Sequence, residues 1–282
     1  MVTPILNQLP IGFQRFQQHT LHVARVPGFD PQGMHVALIH GIAGTASSWI
    51  PLMRYMIPFV RDFLVMDLPG HGFSPAMDSH FTCIDAYDCI RDCLLKNLDP
   101  EDQNLIIGNS LGGAFALKFA YENPDYAQKC VLISPAGAPF PKGAHDVIDF
   151  FCADTVEQGK KIIERVWVHP SFKDYLLIPA VLHMTKQRGF RSFMKSITDI
   201  DDDPHAPLRD MLFSESQLRA YDTPTLLIWG DCDHVLPREM RDFYDGAFGE
   251  NVTRYFPKDY GHCPQFEVPK TLAASIQKWL NA

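Results

Sequence analysis

"IIGNSLGGAFALKF", Ile106 to Phe119, is the stretch on which the reading of this chain rests. An apolar run ends in Gly108, Ser110 stands between two glycines, and a helical pattern opens with Gly112 and Gly113. A strand, then G-x-S-x-G, then a helix is the arrangement of a nucleophile elbow. The serine backbone is held there in a strained positive-φ turn, so that its hydroxyl stands clear of the sheet. Flanking glycines let strand and helix approach closely. The helix N-terminus aims its dipole and free N–H groups at the site. The competing reading of Ser110 is a small polar residue in a tight turn.

Outward from the elbow, short apolar runs recur and end in turn residues. They are "HVALIHG" (His35 to Gly41), "FLVMDLPG" (Phe63 to Gly70), "NLIIG" (Asn104 to Gly108), "CVLISPAG" (Cys130 to Gly137) and "TLLIWGD" (Thr225 to Asp231), with a weaker "VTRYFP" from Val252. Runs apolar on both faces suit parallel strands between helices. Before them, Gly12 to Val26 alternates and reads as an antiparallel hairpin. Between the runs lie helical patterns, such as Ile84, Tyr87, Ile90, Leu94 and Leu98, or Leu272, Ile276, Trp279 and Leu280. The fold class is α/β, a mostly parallel twisted sheet flanked by helices.

One region breaks the alternation. From 138 to 222 there is no strand run, only the helical pieces "VIDFFCADTVEQGKKIIERVWV", "FKDYLLIPAVLHMT" and "FRSFMKSI". This predicts a core of 1–137 and 223–282 with a helical lid inserted before the penultimate strand. Phe150, Phe151, Trp167 and Phe193 are candidates to line a pocket beneath it. Equally, they could form the lid's own core.

The 282 residues suffice for one large α/β domain, and 46% apolar with 21% charged content allows a sizeable core. A net charge of −8 without a Lys/Arg cluster argues against nucleic acid as a partner. The acidic run Asp199 to Pro204 reads as a solvated loop, its spacing unlike an EF-hand. No apolar stretch reaches the ~18–20 residues that span a bilayer, and the N-terminus lacks the pattern of a signal peptide. The seven scattered cysteines suit reduced thiols in a cytoplasmic protein, and Cys83, Cys89 and Cys93 lack the pairs of a zinc site. No dinucleotide fingerprint or phosphate loop occurs, so neither cofactor nor metal is expected.

Four motifs together resemble the α/β-hydrolase fold superfamily, in its serine-nucleophile branch, over nearly the whole chain outside the lid. They are "HGIAG" (His40 to Gly44), "DLPGHGFS" (Asp67 to Ser74), "GNSLGG" (Gly108 to Gly113) and "WGDCDHVLP" with "GHCPQFEVP" near the end. The resemblance implies Ser110 as nucleophile. Its acid pattern, G-x-x-D-x-x-x-P, falls on Gly230, Asp233 and Pro237, with Asp231 one position too early and better suited to capping the turn. Members that carry the acid one strand earlier would place it in "LISPAG", which offers Ser134 and no carboxylate. The family's G-H-x-x-x-x-E-x-P falls on Gly261, His262, Glu267 and Pro269. His262 would take the serine proton and Asp233 would fix its tautomer. The backbone N–H groups of Ile42 and Leu111 would hold the oxyanion. His71 reads as structural, and His40 as a brace for the loop after its strand.

The resemblance leaves the reaction open. Hydrolysis of a carboxylic ester of a small to medium apolar substrate leads. A C–C bond hydrolase acting on a ring-cleavage dienoate is the alternative: Asn109 before the serine is similar to those enzymes, and Arg188 or Arg191 could meet a carboxylate. Against it, "HGIAG" is shorter in glycine, and no tryptophan follows His262. A binding or sensor protein on the same scaffold is the remaining class. Lids of this type support dimers in the family, so a homodimer is a further implication.

Overall fold

Met34–Ile39 sends alternate side chains into two apolar layers, Ala37 and Ile39 to one and Val36 and Leu38 to the other. Period-2 alternation with both faces apolar is what a strand sandwiched between helices requires. Leu105 and Ile107 face one layer and Ile106 the other in the neighbouring strand, so the pattern is repeated across the sheet. The computed structural model describes residues 14–18, 21–75, 81–139, 150–186, 190–191, 193–194 and 211–282.

In chain order these residues form β1 (Gln14–Gln18), β2 (Leu21–Pro27), β3 (Met34–Ile39), α1 (Ile50–Met56), β4 (Val60–Met66), α2 (Cys83–Asn97), β5 (Asn104–Asn109), α3 (Leu111–Glu122) and β6 (Lys129–Ile133). There follow α4 (Val156–Val166), α5 (Phe172–Tyr175), α6 (Ile178–Thr185), α7 (Glu215–Arg219), β7 (Thr225–Ile228), α8 (Arg238–Ala247), β8 (Val252–Tyr255), α9 (Pro264–Glu267) and α10 (Pro269–Leu280). The eight strands make one sheet in the order β1-β2-β4-β3-β5-β6-β7-β8. β1 and β2 join by antiparallel pairing, and all strands from β4 onward run parallel.

That order positions the site. The chain steps from β3 outward to β4, then crosses back to lay β5 on the other side of β3. Between β3 and β5 the connections diverge, and such a switch point opens a crevice at the carboxyl ends of the strands. Register places Ile39 beside Gly108, Asn109 beside Ile133 and Ile133 beside Ile228. The loops after β3, β5, β6 and β7 therefore leave the sheet at one edge. α2, α3 and α8 cover one face through Tyr87, Phe115 and Met240, and α1 and α10 cover the other through Met53 and Ile276.

The region between β6 and β7 differs in detail from the sequence reading. Within the described part of the long helical pattern, α4 opens at Val156 because Thr155 caps it: Thr155 Oγ1 accepts the Gln158 N–H and Gln158 Oε1 accepts the Thr155 N–H. "FKDYLLIPAVLHMT" breaks into α5 and α6, with Pro179 in the first turn of α6, where its missing N–H costs nothing. Part of the expected lid, including Arg188 and half of "FRSFMKSI", lies outside the described residues. Among the described residues this region holds no strand. No helix among them is long and apolar enough to cross a membrane.

Candidate active site

Ser110 follows β5 and caps α3 with φ 56° and ψ −121°, a conformation that costs about 1–3 kcal/mol and survives only where the surroundings enforce it. Backbone pairing enforces it. The Ser110 N–H donates to Ile133 O at 3.0 Å, and its carbonyl accepts from Gly113, Ala114 and Ala136. Gly41, after β3, packs so close that a Cβ there would stand 2.8 Å from Ser110 Cβ. Leu111 opens α3, where N–H groups have no acceptor within the helix.

His262 lies between β8 and α9, and its Nδ1 is 2.8 Å from Asp233 Oδ2. Asp233 follows β7, and its Oδ1 accepts from the Val235 and Leu236 N–H groups at 2.8 and 3.1 Å. Both side chains are buried, 3% and 1% exposed. Burial by itself would raise the Asp233 carboxyl. The charge and hydrogen bond of His262, helped by Ser134 and the Leu236 amide, outweigh it and hold the carboxyl below the ordinary carboxylate value. The Ser134 hydroxyl sits beside the carboxylate without the geometry of a full hydrogen bond. An ionised Asp233 keeps the proton on His262 Nδ1 and leaves Nε2 as a base.

Asn109 joins the two halves. Its Nδ2 donates to His262 O at 2.9 Å and Ile133 O at 3.1 Å, while its Oδ1 accepts from Gln265 Nε2 at 3.0 Å and Cys263 Sγ at 3.5 Å. Both amide hydrogens and both lone pairs are thus spent. Here the structure corrects the expectation of Asn109 as a substrate contact: at 2% exposed, its side chain binds the histidine loop. Asp231 also departs from its expected part as a turn cap, since its carboxylate pairs with Arg241 at 2.5 Å. Among the described residues, no group of three or more His, Cys, Asp or Glu converges to hold a metal ion.

Ser110 in its strained elbow is thus joined, through the neighbouring Asn109, to the loop that carries the buried imidazole–carboxylate pair. The sequence profile of the Alpha/beta hydrolase family matches residues 36–275. The chain belongs to the alpha/beta hydrolase family. It is 26% identical over 258 residues to the 2-hydroxy-6-oxononadienedioate/2-hydroxy-6-oxononatrienedioate hydrolase of Cupriavidus pinatubonensis, covering 87% of this chain and 86% of the relative. Its fold is similar to that of a 2-hydroxy-6-oxo-6-phenylhexa-2,4-dienoate hydrolase from Rhodococcus, with TM-score 0.82 and 18% identity over 98% of this chain and 100% of that one. It is also similar to a carboxylesterase from Bacillus subtilis, with TM-score 0.77 and 17% identity over 99% and 95% of the two chains.

Within this alpha/beta hydrolase the insertion meets both loops that carry the pair. Arg165, at the end of α4, donates from Nε to His234 O at 2.8 Å, and Glu267 Oε1 accepts the Val168 N–H at 2.7 Å. Burial raises the Glu267 carboxyl despite the Val168 and His169 amides. The aromatic candidates divide. Trp167 packs on Phe266 with ring centroids 5.7 Å apart, while Phe150 lies against Phe151 at 5.6 Å and under the Arg165 guanidinium. Phe151 and Phe193 are buried and the other two half-buried. Phe193 is the candidate that reaches the site's frame, edge-on to His71 at 5.4 Å.

Arg191 is spent elsewhere: its guanidinium pairs with Asp154 and donates from Nε to Thr185 O at 2.9 Å. Two residues at the site escaped sequence reasoning. Gln265 carries no signal of its own. Phe190, edge-on to His71 at 5.2 Å, stands three residues before Phe193, and that helical spacing was the available clue.

Proposed function

We propose that this alpha/beta hydrolase cleaves carboxylic esters of small to medium apolar substrates through an acyl-enzyme, under a lid formed by 138–222. Ser110 Oγ attacks the ester carbonyl while His262 Nε2 takes its proton. The Ile42 and Leu111 N–H groups stabilise the oxyanion, worth about 3 kcal/mol each. Collapse of the tetrahedral intermediate expels the alkoxide, which leaves with the proton held by His262. Water then releases the acid by the same route, and Asp233 holds the imidazole throughout.

The observation that carries this reading is the buried His262–Asp233 pair at 2.8 Å, roped by Asn109 to the strained serine next to it. The preference for an apolar substrate rests on Phe190, Phe193 and Met194, all buried in the insertion. p-Nitrophenyl esters of increasing acyl length test it. Turnover lost in Ser110→Ala supports the reading, and folded protein inert to every length sinks it. Labelling of Ser110 by a fluorophosphonate separates an enzyme from a binding protein.

The second reading, C–C bond hydrolysis of a ring-cleavage dienoate, draws support from the Cupriavidus relative. The engagement of Arg191 with Asp154 speaks against it. Turnover of a ring-fission dienoate faster than any ester, with KM raised in Arg191→Ala, would promote it. None of the seven cysteines is joined in a disulfide, in keeping with the cytoplasmic location suggested by the sequence.

A further inference from the structure

Two buried histidines outside the proton relay brace the loop His40–Gly44. His40 Nε2 accepts the Leu68 N–H at 2.9 Å, so its proton sits on Nδ1, which donates to Gly41 O at 2.8 Å. His71 has the same tautomer: Nδ1 donates to Pro69 O at 2.9 Å, and Nε2 accepts the Ala43 N–H at 3.3 Å. The two rings lie 5.4 Å apart. Gly41 C=O and Ile42 N–H belong to one planar peptide, so a donor that fixes the carbonyl also fixes the N–H on the opposite edge.

Ala43 has φ 64°, a left-handed conformation unfavourable for alanine, and its amide is tied to His71. The Gly44 N–H is tied to Gly41 O at 3.0 Å. Among the described residues, the Ile42 N–H is the one amide of 42–44 without a partner. On its other side the His71 ring is clamped edge-on by Phe190 and Phe193, at 5.2 and 5.4 Å.

We propose that His71 is a positioning residue for the oxyanion donor. Its Nε2 holds Ala43 in the turn that leaves the Ile42 N–H to the reaction, and the two phenylalanines fix its ring. Packing of the lid thereby sets how firmly the donor is held. The inference rests on the serine-hydrolase reading. Burial, with His40 alongside and against the pull of the Pro69 carbonyl and Asp67, pushes His71 down to about 3, so Nε2 remains an acceptor at neutral pH.

The test compares wild type, His71→Leu and His71→Gln on p-nitrophenyl butyrate and by hydrogen–deuterium exchange of residues 41–44. Loss of the acceptor in His71→Leu should lower kcat roughly 10-fold or more, with KM within about twofold, and speed exchange at Ala43. His71→Gln, which keeps an acceptor, should recover most of kcat. Folded His71→Leu with wild-type kcat and exchange overturns the proposal, as does His71→Gln impaired equally. If His71→Leu does not fold, Phe193→Leu serves: faster Ala43 exchange supports the clamp, and unchanged exchange overturns it. Should wild type neither label nor turn over, the serine-hydrolase reading fails, while exchange still judges the brace.

Discussion

The side-chain amide of Asn109 donates to the main-chain carbonyl of His262 at 2.9 Å, tying the residue before Ser110 to the proposed base. Asn109→Ala strands that carbonyl and Gln265 Nε2 in a buried site. The expected cost is about 1–3 kcal/mol of stability, since unpaired buried polar groups lose their full desolvation energy. Activity should fall in kcat rather than through KM, because the amide positions the imidazole. Urea midpoints and steady-state kinetics check both. A variant with raised KM and untouched kcat would return Asn109 to substrate contact.

Asp233 accepts a hydrogen bond from His262 Nδ1–H and, in the proposed mechanism, would balance the charge gained at Nε2. Asn in its place keeps the size and can present an N–H to Nδ1, which reverses the tautomer. Asp233→Asn should fold and lose kcat by about 10⁴-fold, as removal of an orienting carboxylate does elsewhere. Fluorophosphonate labelling should slow in parallel. Labelling at the wild-type rate would show that Asp233 is not the orienting acid.

Acid should destabilise this protein over two ranges of pH. His40 and His71 are held below the ordinary 6.5, His71 down to about 3, chiefly because burial penalises the charged ring. Between those values the unfolded chain binds a proton that folded His71 refuses, so stability rises with pH there, by up to about 1.4 kcal/mol per unit. That contribution is whole above pH 6.5 and drains away toward pH 3. Asp233 and Asp67, held low, add stability that is whole above the ordinary 3.8 and lost beneath it. Urea midpoints from pH 7.5 to 4.5 should fall more steeply for wild type than for His71→Gln. Parallel lines would refute the assignment.

What the sequence disclosed and what it hid divide along the range of the interactions. Strands such as Asn104–Asn109 are legible because burial on both faces writes a continuous apolar run, and the elbow because Gly108 and Gly112 allow a contact that side chains would block. The ends of α4 and α6 were not, since Thr155 and Pro179 override an apolar pattern that continues past them. The ties of Asn109 to Gln265 and of His71 to Phe190 span 156 and 119 residues, and no local pattern records a bond that only the closed fold makes.

Two glycine-to-alanine changes should move stability in opposite directions. A Cβ on Gly112 would stand 2.2 Å from Ile39 O and 2.4 Å from His40 O, both backbone atoms of the strand and loop beside the elbow. Neither can step aside without moving β3 or the start of α3. Gly112→Ala should therefore cost about 3 kcal/mol or more, lower the soluble yield, and disturb Ser110 and the Leu111 N–H together. Gly246, inside α8, has nothing within 4 Å of the place a Cβ would take. There alanine restricts the unfolded chain and suits the helix, so Gly246→Ala should stabilise by about 0.4–1 kcal/mol and leave kcat unchanged. Thermal melts of the pair decide the matter. Equal shifts of one sign would mean that the contact between the elbow helix and the third strand is not the close approach described above.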